Sequence, residues 1–176
     1  MVLLQLPKGF DHRLDALGVA LVVVFMLCVG FLEELIFRGF LYQAIREQSG
    51  VHRAIVISGV TFGIGHIVNL ARGSTGTQQL LQIVVAVAIG LVLALLVALT
   101  GSILPGVVFH ILINISGDLT TKDLQQEFYV SAGVLVICAA YRAHLVRQLR
   151  RHGPARAQAI PLKVPTGPSS KVNRGH

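Results

Sequence analysis

The sequence predicts an all-α fold: a polytopic membrane helix bundle of about five transmembrane helices. Of its 176 residues 53% are apolar and only 13% are charged. Stretches 16–32, 54–71, 78–117 and 128–141 carry no Asp, Glu, Lys or Arg, and these approach or exceed the ~20 residues that a helix needs to cross a bilayer. The long stretch 78–117 is split near Gly101 and Pro105 and supplies two helices.

Residues 1–13 form a short amphipathic lead holding Pro7 and Gly9, suited to the membrane interface. Helix one starts near Leu14, and its apolar positions Phe37, Phe40, Leu41 and Ile45 carry the pattern on to about Glu47. It leads into Glu33-Glu34 rather than a small-residue cleavage site, so it reads as a retained helix and not a signal peptide. Gln48-Ser49-Gly50 makes a turn, helix two covers about 53–71, and Gly73-Ser74-Thr75-Gly76 closes it. Helix three, 78–100, has no charged residue and reads as a packing or lipid-facing span without chemistry. Pro105 suits the first turn of helix four, which ends near Gly117-Asp118. A polar loop runs to Glu127, and helix five follows as the shortest span, its 14 uncharged residues extended by snorkelling of Arg142 and Arg147. Three regions result: the lead at 1–13, a core at 14–150, and a basic tail at 151–176 rich in Pro and Gly, whose composition predicts disorder.

Net charge is +7, with eight of the fifteen Lys and Arg from Arg142 onward. A basic segment directly after a hydrophobic helix marks the cytoplasmic side and meets anionic lipid, so nucleic acid is not implied. Five helices put Lys8, Arg13, Arg72 and Lys122 on one side, and Arg38, Arg46, Arg53 and the tail on the other. The second side, with the C-terminus, is expected to be cytoplasmic, in the plasma membrane if the source is bacterial. Cys28 and Cys138 lie in apolar spans without Cys-x-x-Cys spacing, which supports neither a disulfide framework nor a cysteine metal site.

Chemistry concentrates in Glu33-Glu34-Leu35-Ile36-Phe37-Arg38, set in a segment otherwise apolar enough to span. Ionisable groups in hydrocarbon cost several kcal/mol even on lenient scales (about 2.5–3.5 kcal/mol), so they face the bundle interior and mark proton, ion or reaction sites. Glu34 and Arg38, four apart with acid before base, are spaced to pair. Glu33 points about 100° away and is the carboxylate left to meet another helix. Two further polar pairs have the same spacing: Phe62 with His66, and His110 with Asn114. At ~1.5 Å per residue from the proposed cytoplasmic helix ends, Glu33 lies ~21 Å deep, His66 ~20 Å, His110 ~14 Å and Asn114 ~20 Å, which is compatible with one layer.

A carboxylate beside two histidines in a membrane suits general acid–base chemistry on water, and hydrolysis is the natural reaction. Glu33 with His66 would deprotonate water, and His110 with Asn114 would hold the oxyanion. The same groups leave a second possibility: Glu33, His66 and His110 are the three N/O ligands of an open zinc site, though no His-Glu-x-x-His helix is present. No cofactor is the first expectation and zinc the alternative.

Glu33-Glu34-Leu35-Ile36-Phe37-Arg38-Gly39, Phe62-x-x-x-His66 and Gly101-Ser102-Ile103-x-Pro105-x-x-x-His110-x-x-x-Asn114 resemble, in order, the three motifs of the CPBP intramembrane proteases. That family comprises CAAX prenyl endopeptidases and bacteriocin-processing or immunity proteins. The resemblance spans residues 30–117. It implies a helical bundle whose Glu33, His66, His110 and Asn114 match the catalytic positions, with Glu34 and Arg38 supporting them. It also implies a glutamate-dependent protease, in a family first classed as metalloproteases, acting on a protein or peptide in or at the membrane, lipidated or not. Members usually carry further helices before the Glu-Glu motif, whereas here it lies on the first, so the expectation is a short version or a chain lacking an N-terminal portion.

Simpler readings stand beside these. Glu34–Arg38 alone is an ion pair holding helix one in place, and a lone membrane His or Asn commonly bonds a neighbouring helix. Phe62 reads as a packing residue, and His12, His52, His144, His152 and His176 carry no assignment. Two other functions compete with the intramembrane endopeptidase: a non-catalytic binding or immunity protein of the same fold, and a proton or ion pathway. Neither the substrate nor the oligomeric state is written in the sequence.

Overall fold

The computed structural model describes residues 4–5, 9, 13–72, 76–120 and 124–155. Among these the chain is helical: α1 (Ala16–Glu34), a π-helical segment (Leu35–Leu41), α2 (Tyr42–Ser49), α3 (Val51–Gly65), a 3₁₀ segment (His66–Arg72), α4 (Gly76–Thr100), α5 (Leu104–Asp118) and α6 (Leu124–His152). Most of the expected lead and tail falls outside the described residues.

Helix one is one long rod, Ala16–Ser49, assembled from α1, the π segment and α2. Asp15 starts it by accepting a hydrogen bond from Gly18 N at 2.8 Å. The sequence pattern did not signal the π turn, whose i→i+5 bonding widens the helix directly after Glu33-Glu34. Ser58 Oγ of α3 donates to Phe37 O at 2.8 Å and so uses a carbonyl of that widened turn.

Among the described residues, four helices are long and apolar enough to cross a membrane: Ala16–Ser49, Val51–Asn69, Gly76–Thr100 and Gln125–His152. The fifth expected span, α5, is a shorter apolar helix of fifteen residues, or about 22 Å against a hydrocarbon core of about 30 Å. The last helix, expected to be the shortest span, has 29 residues. It begins at Leu124, so the expected polar loop to Glu127 is partly helix: Gln125, Gln126 and Glu127 are good helix formers, and the acid favours a first turn.

The core centres on α4, where Leu93, Ala94, Val97 and Ala98 have no exposed surface. It packs against α3 on one side and α6 on the other, while α5 packs mainly on α1. Small residues allow α3 and α4 to meet at backbone distance. A Cβ on Gly63 would lie 2.8 Å from Val87 N, and one on Gly90 would lie 2.7 Å from Gly59 O. Gly59-x-x-x-Gly63 is thus the small-residue interface by which membrane helices gain close packing. Leu21, Phe25, Phe31, Leu32 and Phe40 on the long rod are exposed, as lipid-facing side chains are.

Candidate active site

Glu33 and Glu34 diverge as their neighbouring positions on a helix require. Glu34 is fully buried and accepts from Arg38 NH1 at 2.7 Å, while Glu33 keeps a side chain 32% exposed and meets a different helix. Arg38 is also fully buried. Its NH2 donates to Gly90 O at 3.0 Å, and its guanidinium sits 4.4 Å from the Phe62 ring centre. Helix α4 therefore takes part in the polar site, against the expectation that it carries no chemistry. Its contribution to Arg38 is the backbone carbonyl of Gly90, and residue type alone does not reveal that.

His110 joins the two carboxylates. Its Nδ1 is 3.2 Å from Glu34 Oε1, and its Nε2 is 3.3 Å from Glu33 Oε2. The Glu34 oxygen already accepts from a guanidinium, so His110 Nδ1 is the donor in that bond. Gly106, one turn before His110, lets the helix approach: a Cβ there would lie 2.7 Å from Glu34 Oε2.

His66 stands where α3 tightens into the 3₁₀ segment. Its Nδ1 is 3.1 Å from Phe62 O, and because a carbonyl only accepts, Nδ1 is the donor in that bond. Gln79 Nε2 of α4 donates to His66 O at 2.9 Å, where α3 gives way to the 3₁₀ segment. The Phe62 ring makes edge contacts with His66 and His110, at centroid distances of 5.0 and 5.3 Å. Phe62 thus packs as expected, and it packs between the two histidines.

Glu33, His66, His110 and Asn114 all line one cavity of about 800 Å³, together with Phe62 and residues of α4 and α6. The histidine that Glu33 meets is His110, at 3.3 Å, however, and not His66. Asn114, one turn beyond His110, has no hydrogen bond among the described residues, which leaves its amide for a bound group. Asn69 Nδ2 donates to Gln82 Oε1 at 3.1 Å at the cavity wall. Gln79 and Gln82 were not candidates from sequence, where glutamines early in an uncharged helix read as its interfacial end.

The zinc alternative needs Glu33, His66 and His110 to converge. Among the described residues no three His, Cys, Asp or Glu side chains are grouped to hold a metal ion. Both nitrogens of His110 already face carboxylates. No step below is routed through a metal.

A family model described as type II CAAX prenyl endopeptidase Rce1-like matches residues 15–116, more than half of the chain. The chain belongs to that family. The match runs from the cap of α1 through Asn114 and so contains every residue of the polar site. No curated protein and no solved structure matches the chain. As a member of the Rce1-like family the protein is an integral membrane protein and, at family level, a CAAX protease-like membrane peptidase with a peptide substrate at the bilayer.

Proposed function

We propose that the protein is an intramembrane endopeptidase that hydrolyses peptide bonds with a glutamate-activated water. The observation that carries this reading is the common orientation of the two histidines: each anchors Nδ1, His66 on Phe62 O and His110 on Glu34 Oε1, and each leaves Nε2 for the cavity that Glu33 lines.

Glu33 is the general base, acting with the lone pair of His66 Nε2 on a water held between them. The water oxygen bonds to the scissile carbonyl carbon, and its proton passes to Glu33. A proton must lie between His110 Nε2 and Glu33 at rest, since two acceptors alone would repel. Once Glu33 engages water, the Nε2–H of His110 is free to donate to the oxyanion together with the Asn114 amide. The tetrahedral intermediate collapses by breaking its C–N bond, and the proton on Glu33 moves to the departing amine. Glu34 and Arg38 act indirectly, by holding the tautomer and position of His110.

The test compares membrane proteomes of cells carrying the wild-type protein and Glu33→Gln. The expected result is a precursor that accumulates in the variant, with its new terminus absent. A variant that keeps its full biological effect and leaves the proteome unchanged would point instead to a non-catalytic binding or immunity protein.

A further inference from the structure

We infer that Gln79 of α4 is the positioning residue for His66, and that its bond to the His66 carbonyl sets which ring nitrogen of that histidine is left for the cavity. This deepens, and rests on, the endopeptidase reading proposed above, because His66 is the histidine placed beside the activated water.

The His66 ring reaches Phe62 O because the backbone gives that carbonyl up. In an α-helix Phe62 O would accept from the N–H of His66, four residues on. Here the His66 N–H is directed to Gly63 O and Ile64 O, and the His66 ψ is −7°, where a continuing α-helix holds about −42°. The chain tightens from α to 3₁₀ at this residue, and Phe62 O is left for His66 Nδ1 at 3.1 Å. The orientation of the ring therefore depends on this turn staying tight.

Gln79 is placed to keep it so. Its Nε2 donates to His66 O at 2.9 Å, and its side chain is only 3% exposed, so the bond is sheltered from water and strengthened by its surroundings. The support behind it is rigid, because α4 is locked on α3 where Gly63 meets Val87 and Gly90 meets Gly59. A second rung, Asn69 Nδ2 to Gln82 Oε1 at 3.1 Å, ties the same two segments three residues further along each. Stability alone is a poor reason for a glutamine here. Among the described residues its Oε1 is buried without a hydrogen-bond partner, and an unpaired buried acceptor costs stability that an apolar side chain of the same shape would not. What the amide does accomplish is to hold the carbonyl of a histidine that lines the cavity.

Magnetic resonance of the histidine ring nitrogens reads this directly. The full chain, with its histidines isotopically labelled, is studied in micelles above the pH at which imidazole is ordinarily protonated, and the His66 signals are assigned by their loss in His66→Ala. The expected wild-type ring carries its proton on Nδ1. In Gln79→Met the signals should move toward those of a ring that exchanges its proton between the two nitrogens, while the unfolding midpoint stays level or rises. With the precursor from the proteome comparison as substrate, kcat should fall about 10–100-fold and KM change less than about twofold. His66 signals unchanged in Gln79→Met, or a loss of kcat no larger than the unfolded fraction explains, would overturn the inference. So would a wild-type ring with its proton on Nε2, a result that does not depend on the variant folding. The ring signals require no catalysis, so a ring that responds to Gln79 in a wild-type protein that cleaves nothing sinks the endopeptidase reading and leaves the positioning of His66 standing.

Discussion

Replacing Arg38 with Met removes a guanidinium that is wholly buried and engaged on three sides. It loses the 2.7 Å pair with Glu34, the 3.0 Å bond to Gly90 O and the contact with the Phe62 ring. Glu34, with no exposed surface, keeps only His110 as a partner. Leaving one member of a buried ion pair uncompensated costs about 3–5 kcal/mol, so a loss of that size is expected for Arg38→Met. The pair itself is incompletely satisfied, since Glu34 Oε2 and Arg38 Nε have no hydrogen-bond partner. Removing both charges should therefore restore most of the loss, because replacing a whole buried pair is often near neutral. Glu34→Gln with Arg38→Met is the informative double variant, as the glutamine side chain retains an oxygen to accept from His110. Unfolding of the purified protein in mixed micelles, titrated with a denaturing detergent, gives all four corners of the cycle. A single-variant loss under about 1 kcal/mol, the range of a solvated surface pair, would refute the claim that this pair is dry and structural.

Three more outcomes follow from the same geometry. Gly63→Leu forces α3 away from α4 at Val87 and should destabilise by about 1–3 kcal/mol in the same titration. Gly106→Ala pushes a methyl against Glu34 Oε2, and cleavage should fall further than the unfolding midpoint alone accounts for, because the displaced carboxylate holds His110. Asn114→Ala should lower kcat about 10²–10³-fold with little change in KM, the signature of a lost oxyanion donor, read in a steady-state peptide cleavage assay.

The helices were legible because a membrane leaves few alternatives: uncharged runs must be helical when no water is present to satisfy the backbone. The Glu34–Arg38 pair and the outward turn of Glu33 toward another helix also followed from helical angles alone. Less visible was what depends on the backbone ladder. The π turn after Glu34 arises where Ser58 and Gly90 take up polar groups of the rod, and those partners are distant in sequence. The place of α4 in the site was missed for the same reason. The pairing of Glu33 with His110 instead of His66 depends on how closely α5 approaches α1, where a Cβ on Gly30 would lie 3.2 Å from Ile111 N. The helical start of α6 is hidden for another reason: Gln125, Gln126 and Glu127 are polar, and polar residues suit a first helical turn as well as a loop.

The central claim is that Glu33 activates water, and it is tested most directly by cleavage in liposomes. The precursor found in the proteome comparison is reconstituted with wild-type protein or Glu33→Gln, and the initial rate is measured beside the unfolding midpoint. Glu33 is partly exposed and makes no contact that a glutamine cannot occupy, so the midpoint should stay close to wild type. The expected rate is lower by about 10²–10⁴-fold, the usual contribution of a general base. A Glu33→Gln protein that folds normally and cleaves at the wild-type rate would contradict the claim.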